Sequence, residues 1–347
     1  MSGLRVATTP APGAPPRRRA DPRRRPRVAV ACLAVAALLL ALVALGLGDY
    51  PLGVVDVVRA LVSDQGFATT IVTEWRLPRV LVALAFGAAL AVSGALFQSL
   101  TRNPLGSPDV IGFSTGSYTG VLVVTTVLGT GTLGVSAGAL VAGLLTALVV
   151  YLLAYRDGVQ GFRLIVVGIG VTGMLHGVNV WLLLRAKTEV ALAASIWGAG
   201  SISLVGWSQA LPAFAVLVVL APLVWVVRGP LRQLELGDDA AGSHGVRVEA
   251  SRLAVVVLAV ALIATVTATA GPIAFVALAA PQIARRLAGS AGLPLVASAL
   301  TGAVVLLAAD VLAQHVLPTA LPVGVVTVVL GGAYLLALIV QEARRRW

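Results

Sequence analysis

Ten apolar runs of 15 to 22 residues fill most of this 347-residue chain, and a helix needs about 20 such residues to cross a bilayer. They are Val28–Gly48, Val80–Leu96, Val110–Leu128, Leu133–Ala154, Leu164–Leu184, Leu211–Val227, Leu253–Ala270, Ile273–Leu287, Leu293–Leu312 and Val323–Val340. Hydrocarbon offers no partner to a backbone N–H or C=O, so each run must form its own hydrogen bonds as a helix. The predicted fold class is an all-α polytopic membrane protein. Charged residues make up 11% of the chain, against roughly 25% in soluble domains, so no large water-facing domain is expected.

Topology follows from the arginines. With ten spans and the N-terminus in the cytoplasm, 20 of the 25 Lys and Arg residues fall inside and 5 outside. That excess is the positive-inside pattern, and it places both termini in the cytoplasm. The doubtful run is Ile273–Leu287, divided from its predecessor only by Gly271-Pro272. Merging the two would put Arg344–Arg346 outside. Residues 1–27 are rich in Ala, Pro and Arg without apolar periodicity, and are expected to be a disordered basic cytoplasmic tail. A twin-arginine signal is the rival reading, but Val28–Gly48 is too long for such a segment. Residues 28–347 then form one ten-helix membrane domain.

Resident chemistry is sparse. His176, His244 and His315 fall at three different depths and cannot share one metal. The only lysine, Lys187, follows Ala186, so no phosphate-binding loop of the G-x-x-x-x-G-K-[ST] type exists. Cys32 is the only cysteine, which excludes an internal disulfide. No cofactor or metal site is expected, and any ATP must be used by another chain. Ion coupling would need carboxylates at depth, and only Asp109 and Asp310 approach the hydrocarbon. Ser107-Pro108-Asp109 reads as a helix start, which gives Asp109 a structural task. Asp310 has no evident basic partner in the sequence.

Four polar elements stand out. Arg76 and Arg79, with Pro78 between them, lie at the outer end of the second run. They are either headgroup contacts of snorkelling side chains or a positive rim for an acidic external partner. The turn at Asn103–Asp109 closes the inner end of the same run. The segment from Lys187 to Gln209, with Trp197 and Trp207, suggests an interfacial or re-entrant helix. Residues 228–252 form the longest inside loop, with a short helix predicted after an Asp238 cap and a second about Gly245. It is either a docking surface or a solvated loop.

These residues resemble the FecCD family of ABC-importer permeases, which carry iron–siderophore complexes, haem and cobalamin. The likeness is carried by RLPRVLVALAFGAALAVSGALFQSLTRNPLGSPDVIGF at 76–113, by FRLIVVGIGV at 162–171 and by LELGDDAAGSHGVRVEASRL at 234–253. AGPIAFVALAAPQIARRLAG at 270–289 and LPVGVVTVVLGGAYLL at 321–336 extend it. NPLGSPDVIGF, WLLLRAK and LGDDAA are most similar to permease subunits for ferric enterobactin and related catecholate siderophores.

The resemblance implies a ten-helix type II importer subunit that pairs with a second permease, the pore lying between them. Two cytosolic ATPases, which use ATP and magnesium, and an extracytoplasmic siderophore-binding protein would complete the transporter. It implies binding-protein docking at Arg76 and Arg79. A cytoplasmic gate is implied at Asn103 and Leu105 with Gly161 and Phe162. An ATPase seat is implied at Gly237, Asp238, Asp239, Ala240, Ala241 and Gly245. Two departures weaken the outer charge: Gln314 stands where many members have arginine, and Ala320 where many have an acid. That favours a paralogous partner over a homodimer. The competing expectations are an ion-coupled secondary transporter, or a permease of the same family for haem or cobalamin.

Overall fold

A computed structural model describes residues 24–128, 132–155, 161–290, 292 and 294–346. Residues 1–23 of the expected tail lie outside them. In chain order the helices are α1 (Arg24–Gly46), α2 (Val54–Val62), α3 (Phe67–Thr70), α4 (Leu77–Thr101), α5 (Phe113–Val123), α6 (Thr132–Ala154) and α7 (Gly161–Arg185). There follow α8 (Thr188–Gly198), α9 (Trp207–Leu236), α10 (Asp238–Ser243), α11 (Val248–Ala270), α12 (Val276–Ala288), α13 (Leu295–Val311) and α14 (Val323–Arg346).

Among the described residues, seven helices are long and apolar enough to cross a membrane. Two of the predicted spans fall on shorter helices. The run Val110–Leu128 divides into a 3-10 turn at Pro108–Ile111, the 11-residue α5 and a π-helical turn at Val124–Leu128. The run Ile273–Leu287 contracts to the 13-residue α12. Gly271 there turns at φ 72° and Phe275 sits at φ 69°, so the chain between α11 and α12 cannot be one bent helix. The last run, Val323–Val340, lies on the 24-residue α14.

Helix α4 is the core. With α3 and the π-helical turn Ile71–Arg76 it runs unbroken from Phe67 to Thr101, and it is the most buried of the seven. It packs against α13, α11, α12 and α9. The sequence placed Arg76 and Arg79 at the end of a span beginning near Val80, yet both lie well within this helix. Pro78 explains how. Proline has no N–H and its ring crowds the carbonyl of the preceding turn. Here that turn widens to the π form, Leu77 N–H reaching Val72 O. The next carbonyl, Thr73 O, would wait for the N–H that Pro78 lacks. It accepts the Trp207 indole N–H at 2.9 Å instead, tying the start of α9 to the outer part of this helix.

Close helix crossings follow from small residues. A methyl group on Gly87 would collide with Gly302 O of α13, and one on Gly302 with Gly87 O. Gly116 and Gly120, four residues apart on α5, act the same way against α6, where Gly120 abuts Gly138 O. In a chain without a hydrophobic drive between helices, such contact supplies dispersion attraction over a long seam. Buried hydroxyls and amides join the seams: Ser93 Oγ donates to Ala259 O of α11, and Gln98 Nε2 to Leu278 O of α12 at 2.9 Å.

The inside loop is shorter than the sequence suggested. Residues 228–236 continue α9, leaving 237–247 between it and α11. Gly237, not Asp238, precedes α10, with φ 123° that only glycine adopts readily. Asp238 and Asp239 instead occupy the first turn, where their charge meets the positive end of the helix. The segment Lys187–Gln209 does contain a helix, α8, and Trp197 stacks on Tyr118 of α5 with ring centroids 6.5 Å apart.

Candidate functional site

The two ends of the α4 helix carry the residues that the sequence singled out. At the outer end, Arg76 donates to Leu45 O at 2.9 Å and to Tyr50 O at 2.7 Å. Leu45 lies in the last turn of α1, whose carbonyls lack partners further along the helix. Arg79 meets Asp310 of α13 with two parallel bonds, Nε to Oδ2 at 2.9 Å and Nη2 to Oδ1 at 2.7 Å. The Asp310 side chain is 6% exposed and that of Arg79 20%. The basic partner of Asp310 was invisible in sequence because it lies 231 positions away.

These groups line a cavity of about 850 Å³ with Trp75, Gln314, His315 and Ala320. Thus the two positions at which the chain departs from its resemblance, Gln314 and Ala320, share one hollow with the two arginines. Gln314 donates to Ser203 Oγ at 2.9 Å and Leu321 O at 3.1 Å. Arg79 pairs with Asp310, and Asp49 lines the same hollow as Arg76, so its two arginines are matched by two aspartates.

At the inner end, α4 stops at Arg102, a left-handed residue with φ 49°. The turn behind it is closed by Asn103, whose Oδ1 accepts from Leu105 N–H at 2.9 Å, and by Gly106 N–H to Asn103 O at 3.0 Å. Asparagine is suited to this because its side chain copies a backbone acceptor. Leu105 is left 57% exposed. Gly161 opens α7 directly against this turn, since a methyl there would meet Thr101 Cα at 2.7 Å. Phe162 next to it is 79% exposed. The structure therefore brings Asn103, Leu105, Gly161 and Phe162 to one place, although 54 or more positions separate the two pairs. Beneath the turn is a hollow of about 400 Å³ lined by Asn103, Leu105, Asp109, Ile165, Ile169 and Thr172.

Asp109 is held as the sequence suggested. Ser107 caps the 3-10 turn at Pro108–Ile111, and Ser114 Oγ donates to Asp109 Oδ1 at 2.6 Å. Burial pushes its carboxyl above the usual carboxylate range, and the hydrogen bonds from Ser114 and Ser107 pull it back.

The sequence reading missed what joins the inner turn to α10. Arg102 donates through Nε and Nη2 to Leu234 O, at 3.1 and 2.8 Å, and through Nη2 to Asp238 Oδ1 at 2.8 Å. Asp238 Oδ2 receives Arg252 Nη2 at 2.8 Å, and Arg252 also holds Glu249. Ser99 Oγ donates to Glu235 Oε1 at 2.6 Å. Among the described residues no group of three or more His, Cys, Asp or Glu is placed to hold a metal.

Comparison with known proteins agrees with this architecture. A family model described as the FecCD transport family matches residues 35–341. The ferric enterobactin transport system permease protein FepG of Escherichia coli K12 is 51% identical over 293 residues, 84% of this chain and 89% of that protein. The achromobactin transport system permease protein CbrC of Dickeya dadantii is 36% identical over 323 residues, 91% of each chain. A solved structure described as a metal-chelate type ABC transporter in an inward-facing conformation superposes with a TM-score of 0.81 at 26% identity, covering 91% of this chain and 99% of that one. The chain belongs to the FecCD transport family.

Proposed function

We propose that this chain is the permease subunit of an ATP-driven importer for ferric siderophores of the catecholate type. The observation that carries this reading is the 51% identity with the enterobactin permease protein across most of both chains. In this reading ten helices cross the cytoplasmic membrane, the short α5 and α12 included, and both termini face the cytoplasm. The chain pairs with a second permease, a paralogue by preference, and the pore lies between them. It binds no cofactor. ATP and magnesium are used by two separate ATPases seated on Gly237–Gly245.

An extracytoplasmic binding protein docks at Arg76 and Arg79. Arg76 engages an incoming carboxylate by giving up the carbonyls of Leu45 and Tyr50, and Arg79 by exchanging it for Asp310. Asn103, Leu105, Gly161 and Phe162 close the cytoplasmic mouth. The ion-coupled alternative finds little support, because both candidate relay carboxylates are occupied: Asp310 by Arg79, and Asp109 by Ser107 and Ser114.

Ferric enterobactin uptake into proteoliposomes holding the assembled transporter tests the proposal. ATP on the ATPase side should drive uptake, and a proton gradient alone should not. Uptake that persists without ATP and collapses with an uncoupler overturns it. Haem or cobalamin carried in preference to ferric enterobactin overturns the substrate assignment alone.

A further inference from the structure

We propose that Arg102 and Asp238 form the joint through which movement of α10 reaches the turn at Asn103–Leu105; this rests on the reading of α10 as the ATPase seat. Three observations carry it. First, α10 has six residues and is bounded by Gly237 at φ 123° and Gly245 at φ 80°, with nothing crowding either position. Both glycines hold conformations that other residues rarely adopt, so the chain turns sharply on either side of α10, while the fully buried Ala241 and the 2.7 Å contact of His244 Nδ1 with Gln233 Oε1 seat it on its neighbours as one unit. Second, Arg102 is adjacent to Asn103, and its guanidinium spans two elements at once, capping the α9 carbonyl of Leu234 while pairing with Asp238 of α10. Third, Asp238 is shared. One oxygen goes to Arg102 and the other to Arg252, which is 8% exposed and anchored in α11.

Asp238 therefore links a fixed helix, the mobile seat and the turn. Any displacement of α10 must pull Arg102, lengthen the bond to Arg252, or both. Because Thr101 abuts Gly161, a pull on Arg102 also bears on the start of α7 and on Phe162. Arg102 and Asp238 are positioning residues in this scheme and touch no cargo.

The test follows two distances in the assembled transporter, using spin labels on a Cys32→Ser background. One pair is Leu105→Cys with Phe162→Cys, across the candidate mouth. The other is Ser243→Cys with Ser290→Cys, reporting α10. Nucleotide-free and ATP–vanadate-trapped states are compared. Both distances should change in the otherwise unaltered protein. In Arg102→Ala and in Asp238→Asn the 243–290 change should persist and the 105–162 change should vanish. Ferric enterobactin carried per ATP should fall roughly tenfold, within the usual range of coupling between sites. The double variant should be no worse than either single one, as expected for two groups acting through one contact.

Arg102→Lys, which retains a charge for Asp238 but loses the planar fork over Leu234 O, should fall between them. A 105–162 change that survives Arg102→Ala, or additive losses in the double variant, overturns the joint. A 243–290 distance that never responds to nucleotide overturns the seat reading beneath it, a separable failure. Loss of melting temperature with both distance changes intact assigns the contact to stability alone and also overturns the proposal.

Discussion

The two ends of the α4 helix are both fastened by an arginine and an aspartate, but in different surroundings. The Arg79–Asp310 side chains are 20% and 6% exposed, and the Arg102–Asp238 side chains are 48% and 49% exposed. Shielded charges cannot exchange their partner for water without a large penalty, so the outer pair fixes how α4 and α13 meet. Exposed pairs are nearly balanced against hydration and are screened by salt. The inner pair can therefore open and reclose with little change in free energy. One helix is thus pinned outside and steered inside.

The largest expected effect comes from breaking the outer pin. Arg79→Ala strands the Asp310 carboxylate and should cost about 3–5 kcal/mol, the usual loss when one partner of a shielded pair is removed. Thermal unfolding of the purified protein in detergent measures this. Arg79→Met combined with Asp310→Leu should recover most of the loss, because no uncompensated charge remains. If the single variant melts with the natural protein, the pair is not a pin and the contrast between the ends fails.

The next effect in size lies at the inner end but in the backbone. Gly237→Ala forces a β-carbon into a conformation with φ 123° and ψ 156°, at a cost of about 1–3 kcal/mol. That cost falls locally, so amide exchange across 238–243 should quicken while exchange in α4 stays the same. Equal protection in the two proteins would remove glycine's reason for bounding α10.

How much of this contrast the sequence carried depends on the range of the interaction. Apolar runs are local quantities, and seven of the ten fall on long apolar helices. The Ser107 cap is also local and appears where expected, whereas Asp238, read as a cap, falls one position later in the first turn of α10. Hydropathy misled at one point, since the apolar run begins at Val80 while the helix runs from Phe67 to Thr101 through the π-helical turn before Pro78. Hydropathy also averages over Gly271-Pro272 and over the left-handed Gly112 without seeing the turns that leave α12 and α5 short. The resemblance placed Asn103, Leu105, Gly161 and Phe162 together without geometry, and the fit of Gly161 against Thr101 supplies it. Neither ion pair was legible. Arg79 and Asp310 lie 231 positions apart, Arg102 and Asp238 136, and no local period relates them.

The smallest stability effect should belong to the inner pair, and it sharpens the comparison most. Each partner is about half exposed, so solvent screening limits what Arg102→Ala can cost to about 0–1 kcal/mol. The capping bonds to Leu234 O place it toward the upper end of that range. Raising ionic strength separates the ends further. At 1 M salt the screening length falls to about 3 Å, near the length of the bond itself. The Arg102→Ala deficit should then shrink toward zero, whereas the Arg79→Ala deficit should persist, because ions do not reach a carboxylate as enclosed as that of Asp310. Melting curves of both variants against the natural protein, at low and high salt, decide this directly. Parallel salt dependence at the two ends would mean that Asp310 is hydrated in solution, and the outer fastening would then be as open to exchange as the inner one.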